Sequence, residues 1–207
     1  MFNKFIAAAA LSALSAAASA AVITAGPTAA ANLVADGDFE ATSLGYGSWT
    51  EIASGATGWD ATNKLEIRNA VAGTAEHGNQ FAELDVDVNS TISQNLATVA
   101  GQQYLLSFWV QDRAGVDASS QGIDYSVAGI GHAVAGGSVP GWTQFTQTFT
   151  ATGSSTLLSF AAAGRSDSLG TSLDNVSVTA VPEPGSMMLL ASGLALLGLA
   201  RRRTTRG

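Results

Sequence analysis

The stretch from about residue 32 to residue 180 is built from short apolar runs interrupted by clusters of Gly, Asn, Asp and Ser. The runs are rich in β-branched and aromatic residues, and none has the 3.6-residue period of an amphipathic helix. Several alternate between apolar and polar residues, as strands do when their two faces meet different surroundings. This pattern predicts an all-β fold, a sandwich of two packed antiparallel sheets.

Ten segments have the composition and length of strands. They are Asn32–Ala35, Ser48–Ile52, Lys64–Arg68, Gln80–Val88, Thr91–Leu96, Gln103–Arg113, Gly122–Val127, Trp142–Thr150, Ser155–Ala162 and Ser172–Thr179. Successive residues of a strand point to opposite faces, so each alternating segment divides into a core set and an outer set. The clearest core set is Tyr104, Leu106, Phe108 and Val110.

The segment Gln80–Val88 divides in the same way. Its predicted core set is Ala82, Leu84, Val86 and Val88, which leaves Phe81, Glu83, Asp85 and Asp87 on the other face. Carboxylates are costly to bury without partners. We therefore expect these acidic side chains to meet solvent or a ligand.

The first twenty residues have the pattern of a secretion signal. Met1–Lys4 carries one positive charge, Phe5–Leu14 is apolar, and Ala18–Ala20 supplies small residues for a signal peptidase. We predict cleavage after Ala20, with other alanines up to Ala31 as alternatives, and a short leader over residues 21–31. A retained membrane anchor is the other interpretation, but the apolar run is short and rich in Ala and Ser for that role.

Residues 181–207 combine three features in a fixed order. Pro182, Glu183 and Pro184 precede the uncharged stretch Ser186–Ala200, and the arginines Arg201, Arg202 and Arg203 follow it. A helix of about sixteen residues spans about 24 Å, which is short for a bilayer but workable if the arginine side chains snorkel. The arginines predict that the C-terminus stays in the cytoplasm while residues 32–180 lie outside.

The charge between the two ends limits the partners. Residues 21–183 contain all sixteen acidic residues but only four basic ones, for a formal net charge of −12. This argues against nucleic acid and favours neutral glycans or cations. Cysteine is absent, so an exported domain must be held by its core or by a metal ion rather than by disulfides.

The C-terminal segment resembles the PEP-CTERM sorting signal in its Val-Pro-Glu-Pro motif, apolar helix and arginine cluster. The resemblance implies that an exosortase-like membrane protease recognises the motif and cleaves near it. It also implies a Gram-negative bacterium that makes exopolysaccharide, with the protein transiently anchored and then passed to the cell surface or extracellular matrix. An ordinary single-pass tail anchor is the alternative.

Residues 32–180 resemble the galactose-binding-like jelly rolls of secreted carbohydrate-binding modules. The matching stretches are Asn32–Glu40, Gly58–Trp59, Gly78–Leu84, Ile92–Leu96, Ala100–Gly101 with Tyr104–Phe108, and Leu173–Val178. In such domains the first and last strands often meet around a structural calcium ion. The resemblance implies Glu40 and Asp174 as its carboxylate ligands, with Asp38 as a weaker match. The alternative is that Asp174 anchors a turn and Glu40 is a solvated edge residue.

A ligand site is predicted on the polar face of two strands. Trp109, Gln111 and Arg113 come from one strand, and Glu83 and Asp85 from the other. An exposed indole offers a flat apolar surface to a sugar ring, while the amide, guanidinium and carboxylate groups can bind its hydroxyls. The alternative is that loops bury Trp109 as a second small core. Tyr46 and Trp49, in a Gly-rich region, are further candidates for a loop site.

Catalysis has little support. His77 and His132 have no companions at the spacing of a metal site or a nucleophile. Glu83 and Asp85 would lie about 7 Å apart on one strand face, a separation found in glycosidases but produced by any acidic strand. The sequence therefore predicts a non-enzymatic surface or matrix protein that binds or packs with extracellular polysaccharide. A purely structural or adhesive protein is the main alternative, and a glycan hydrolase a lesser one.

Overall fold

The computed structural model describes residues 31–182 and Ser192. The predicted signal peptide and nearly all of the leader lie outside these residues. So does the sorting segment, apart from Val181, Pro182 and Ser192. Among the described residues, no helix has both the length and the apolar character needed to cross a membrane. The predicted spanning stretch itself lies outside them, apart from Ser192.

Within the described residues the chain forms eleven strands and one short 3-10 turn, Ala118–Ser120. The strands are β1 (Ser48–Ala53), β2 (Asp60–Ala61), β3 (Lys64–Asn69), β4 (Phe81–Glu83), β5 (Thr91–Ala97), β6 (Gln103–Gln111), β7 (Gly122–Val127), β8 (Ile130–Ala135), β9 (Thr143–Thr150), β10 (Ser155–Ala162) and β11 (Ser172–Ala180).

The strands form two antiparallel sheets. Sheet I has the order β1-β3-β4-β11-β6-β9, and sheet II has the order β2-β5-β10-β7-β8. From β4 onwards the chain crosses repeatedly between them, which gives the four-strand sets β4-β11-β6-β9 and β5-β10-β7-β8. This is the strand order of an eight-stranded jelly roll, with β1, β2 and β3 added at the sheet edges. The predicted fold is confirmed.

The core lies between the sheets and includes the set predicted from β6. Tyr104, Leu106, Phe108 and Val110 are all buried. Phe108 is the centre of an aromatic cluster, with ring centroids 4.7 Å from Tyr125 and 5.0 Å from Phe160. These rings come from β6, β7 and β10, so the cluster joins the two sheets.

The segment Gln80–Val88 departs from its prediction. Only Phe81–Glu83 is a strand, and Val88 is exposed although Ala82, Leu84 and Val86 are buried. The chain turns after Glu83, because the backbone N–H of Asp85 donates to the Glu83 carboxylate and Asp85 pairs with Asn89. Side-chain hydrogen bonds have replaced the ladder that the alternation predicts.

The two ends of the domain lie side by side. Residues 32–35 are not a strand, but the N–H of Leu33 donates to the carbonyl of Val178, and the Asn32 side chain accepts from the N–H of Val178. A register shift in β11 between Asp174 and Ser177 lets the N–H of Val176 reach the carbonyl of Gly37 at 2.7 Å. The approach is so close that a Cβ on Gly37 would meet the Val176 carbonyl.

Candidate ligand-binding face

The outer face of sheet I carries a row of large side chains that point away from the core. Strand register aligns Arg68 of β3 with Phe81 of β4, and Asp174 of β11 with Trp109 of β6, which in turn faces Gln144 of β9. The neighbouring row contains Glu66, Glu83, Ser172 and Gln111. The fold therefore brings Trp109, Gln111 and Glu83 onto one face, as the alternation predicts.

Trp109 is half-buried within a polar surface. Gln144, beside it on β9, is exposed and donates a hydrogen bond of 2.8 Å to the Ser107 hydroxyl. Among the residues that the structure describes, no aromatic ring packs against the indole of Trp109. The indole is partly exposed, at a surface of hydroxyl and amide groups.

A second small core does exist on this face, but Phe81 and Trp142 form it. Phe81 is fully buried, with its ring edge-on to Trp142 at a centroid distance of 6.0 Å. The indole N–H of Trp142 donates to the carbonyl of Thr74 at 2.9 Å. The loop of residues 70–80 therefore covers the part of the face around Phe81.

The expectation that Glu83 and Asp85 meet solvent or a ligand is wrong. Their exposed fractions are 0% and 1%. Glu83 accepts from Arg68 Nη2 at 3.1 Å, whereas Asp85 Oδ2 accepts the backbone N–H groups of Asp167 and Ser168, both at 2.8 Å. These internal donors compensate the loss of water that makes an unpaired buried carboxylate costly. Buried in this way, the two carboxylates cannot flank a glycosidic bond as a hydrolase pair.

Arg68 is the buried cation of this face, and sequence reasoning overlooked it. Its guanidinium group contacts Glu66 and Glu83, while Nη1 has no hydrogen-bond partner among the described residues. Burial raises the pKa of Glu83 to about 7, although Arg68 acts to lower it. An alternating strand with Glu66 and Arg68 on the same face was the available signal.

Arg113 lies half-buried beyond the end of β6. It donates to the carbonyl of Ser168 at 3.3 Å, and burial together with the nearby charge of Arg68 lowers its pKa. Arg113 thus contacts the same loop that Asp85 holds. Its role toward a ligand stays a prediction, as do those of Trp109 and Gln111.

Buried carboxylates fix several loops at this end of the sandwich. Asp85 holds residues 166–168, and Asp112, which sequence reasoning also overlooked, accepts from the N–H of Val139 at 3.0 Å and from the Thr171 hydroxyl at 3.2 Å. Carboxylate-to-backbone bonds of this kind are stronger than neutral hydrogen bonds. They connect distant parts of a chain that has no cysteine.

Glu40 and Asp174 hold the loop of residues 70–80 from two sides. Glu40 Oε1 accepts the N–H groups of Asn79 at 2.5 Å and Gln80 at 2.7 Å. Asp174 Oδ2 accepts those of Glu76 at 2.8 Å and His77 at 3.0 Å. Burial raises the pKa of Asp174 to about 7, against the effect of its backbone N–H donors.

These contacts bear on the calcium prediction. The N–H donors direct positive charge at the oxygens that calcium would need, and Asp38 is exposed. The described residues contain no group of three or more Asp, Glu, His or Cys side chains placed to share a metal ion. The arrangement therefore fits calcium poorly as it stands, and binding at Glu40, Asp174 and Asp38 stays a prediction.

Strand order and the outer face define the described part of the chain as a jelly-roll domain. Residues 180–203 match the family described as the PEP-CTERM protein-sorting motif, so the chain carries this sorting motif. The match covers Pro182, Glu183, Pro184 and the three arginines Arg201, Arg202 and Arg203, which confirms that this segment is a PEP-CTERM sorting motif. The motif implies export and sorting to the cell surface or the extracellular space.

Two curated relatives match the chain over part of its length. Both are multifunctional-autoprocessing repeats-in-toxin proteins. The one from Vibrio cholerae serotype O1 is 32% identical over 156 residues, and the one from Vibrio vulnificus is 31% identical over 154. Each alignment covers 72% of this chain, which spans about 3% of the length of either relative.

Solved structures with a similar fold include two carbohydrate-binding modules. TmCBM61, in complex with β-1,4-galactotriose, is 16% identical with a TM-score of 0.45, and the alignment covers 73% of this chain and 99% of that one. Family 16 Carbohydrate Binding Module-2 is 18% identical with a TM-score of 0.46, at 72% and 99% coverage. The active domain of bacteriophage CBA120 tailspike protein 4 is 15% identical with a TM-score of 0.46, at 72% and 21% coverage. The fold assignment rests on strand order rather than on these likenesses.

Proposed function

We propose that this protein is a non-enzymatic surface or matrix protein whose jelly roll binds extracellular polysaccharide through the outer face of sheet I. An exosortase-like membrane protease processes it at Pro182–Pro184, after transient anchoring in the inner membrane of a Gram-negative bacterium. The observation that carries the binding proposal is the half-buried indole of Trp109 within a surface of Ser, Thr and Gln side chains.

The chemistry of this surface suits a sugar. An indole stacks on the C–H face of a pyranose ring, and neighbouring amide and hydroxyl groups exchange hydrogen bonds with its hydroxyls. Gln144 and Thr146, exposed on β9, lie opposite Trp109 and Ser107. Asp85 supports the face by fixing the loop of residues 166–168, and Glu83 supports it by pairing with Arg68, rather than by contacting the ligand.

Affinity gel electrophoresis tests the proposal. The full chain, kept in detergent because of its apolar C-terminal stretch, is run in native gels containing xylan, galactan, hydroxyethylcellulose or the exopolysaccharide of the producing bacterium. We expect retardation in at least one gel, with Trp109→Ala weakening it at least tenfold and Gln144→Ala weakening it less. Absence of retardation in every gel would leave the structural or adhesive alternative.

Leu157→Ala is the control for this experiment. Leu157 is an exposed apolar residue of β10, in the other sheet. We expect it to leave the retardation unchanged. If Trp109→Ala and Gln144→Ala both bind as the parent does, the polysaccharide does not bind at this face.

A further inference from the structure

A cleft with an exposed tyrosine lies at the β1 edge of sheet I, apart from Trp109. Tyr46 stands at the tip of a turn with 89% of its surface exposed. Two backbone bonds fix the turn: Gly47 N–H donates to the carbonyl of Asn69 at 2.9 Å, and Ser48 N–H donates to that of Gly45 at 3.1 Å. An aromatic ring this exposed is free to stack on a ligand in the cleft that it lines.

The cleft has the size of a small-ligand site. A cavity of about 380 Å³ is lined by Glu40, Thr42, Ser43, Leu44, Tyr46, Asn69, Asn79 and Gln80. An adjoining cavity of about 180 Å³ shares Tyr46, Asn69 and Asn79 with it. The larger cavity falls within the usual range for ligand pockets.

The polar groups of the cleft are held in place before any ligand arrives. The buried side chain of Gln80 accepts from Thr42 and Leu44 and donates to the carbonyl of Thr42. Asn69 donates to the carbonyl of Leu44 at 2.8 Å. The exposed side chain of Asn79 completes the set. Pre-fixed polar groups lower the entropic cost of binding.

Gly78 lies against the Glu40 carboxylate at the wall of the cleft. Its φ of 68° is one that residues with a Cβ rarely adopt, and a Cβ there would lie 2.4 Å from Glu40 Oε1. The missing side chain lets the Glu40 carboxylate reach the N–H groups of Asn79 and Gln80. The same contacts hold Asn79 at the wall of the cleft.

The charge of the lining limits the ligand class. Glu40 is the only ionisable acid or base that lines either cavity besides the phenol of Tyr46, and neither lining includes a lysine or an arginine. An anionic sugar would meet the negative charge of Glu40 with no cation in the lining to offset it, whereas hydroxyl groups find amide donors and acceptors.

We infer that the Tyr46 cleft is a second saccharide site, selective for an uncharged sugar and separate from the Trp109 face. The inference shares its ligand class with the proposed function but depends on different residues. Tyr46 supplies the stacking surface, and Asn69 and Asn79 bind the hydroxyls.

Calorimetric titration of the full chain tests this assignment. The probes are the neutral hexasaccharides of xylose, glucose, galactose and mannose, with hexagalacturonate as the anionic one. We expect at least one neutral probe to bind, hexagalacturonate to bind at least tenfold more weakly, and Tyr46→Ala to raise the Kd of the neutral probe at least tenfold. Tyr46→Phe keeps the ring and should stay within about threefold of the parent.

Two controls separate this site from the Trp109 face. Leu157→Ala removes an exposed apolar side chain from sheet II and should change nothing. Trp109→Ala removes the stacking surface of the other proposed site, so it should keep the neutral hexasaccharide bound at the cleft alone, and adding Tyr46→Ala in that background should weaken this binding at least tenfold. If no neutral probe binds, if hexagalacturonate binds as tightly, or if Tyr46→Ala has no effect in the Trp109→Ala background, the cleft is not this site. If Trp109→Ala loses binding and Tyr46→Ala does not, the cleft is not a saccharide site and the proposed function stands.

Discussion

The outer faces of the two sheets differ although both follow the same alternation. Sheet I presents aromatic and charged side chains, among them Arg68, Phe81 and Trp109. Apart from the exposed Leu157, sheet II presents mostly small or polar ones, and an open groove of about 460 Å³ on it is lined mainly by Asp124, Ser126, Gly131, Ala133, Ser159 and Ala161. Strand geometry alone therefore does not make a face functional.

The two faces differ in the hydrogen-bond partners that their side chains need from the surrounding loops. Buried Asp174 and Asp85 at sheet I need partners, and the loops at residues 70–80 and 164–171 provide backbone N–H donors for them. Arg68 and Glu83, also buried on this face, pair with each other. The small side chains of sheet II need no such cover. Loops that are held by buried carboxylates then form the walls of the surfaces that we propose for ligands. Three predictions sharpen this contrast, beginning with the largest effect.

Replacing Asp85, which holds a loop beside sheet I, should destabilise the fold far more than replacing an exposed carboxylate of sheet II. Asp85→Ala leaves the N–H groups of Asp167 and Ser168 and the hydroxyl of Ser166 without their acceptor, so we expect the free energy of unfolding to fall by about 2–4 kcal/mol. Asp124→Ala, at an exposed position of sheet II, should change it by less than about 0.5 kcal/mol. Urea unfolding measures both, and equal effects would contradict the contrast.

The free energy of unfolding should also depend on pH, through the buried carboxylates Glu83 and Asp174 of sheet I. The ordinary pKa values of Glu83 and Asp174 are 4.5 and 3.8, and burial raises both to about 7 in the folded protein. Between these limits the folded state binds more protons than the unfolded chain, so the free energy of unfolding falls as pH rises and levels off above about pH 7. We expect each group to contribute on the order of 1–3 kcal/mol.

Glu83→Gln should flatten that slope, because the amide cannot ionise. Glu51→Gln is its control, since Glu51 lies partly exposed at the sheet edge and pairs with Lys64. Urea unfolding of each variant from pH 4.5 to 8 gives the measurement. A slope in Glu83→Gln as steep as in the parent would mean that Glu83 stays ionised throughout.

Removing calcium with a chelator should have the smallest effect on stability. A calcium ion bound only to the folded state must raise the melting temperature. Since backbone N–H groups occupy the Glu40 and Asp174 oxygens, we expect a chelator to shift the midpoint by no more than about 2 °C. Asp38→Asn should match the parent in calcium and in chelator. A drop of several degrees on chelation, absent from a Glu40→Gln variant, would establish the calcium site.

Much of the fold could be predicted from the sequence because strand periodicity is a local property. The segments Gly122–Val127 and Ser155–Ala162 are strands with the predicted bounds, and the alternation in β6 gave its core face. The strand β8 was missed because its residues Ile130–Ala135 include Gly, His and two Ala, which carry little strand signal. Its place at the edge of sheet II depends on pairing with β7.

The candidate sites were less predictable, because burial depends on contacts made far along the chain. Alternation placed Trp109, Gln111 and Glu83 on one face, but it could not tell that the loop at residues 164–171 buries Glu83 and Asp85. Tyr46 was a candidate for a loop site by its Gly-rich context. Its partners Asn69 and Asn79 could be named only once the chain had brought them together.

The sequence by itself determined the β architecture and the sorting motif at residues 180–203, since both depend on the order and spacing of neighbouring residues. The tertiary structure decided which acidic residues are buried and which surfaces stay open. A carboxylate is stable inside a protein only where donors from distant segments surround it, and those segments become neighbours only when the sheets form.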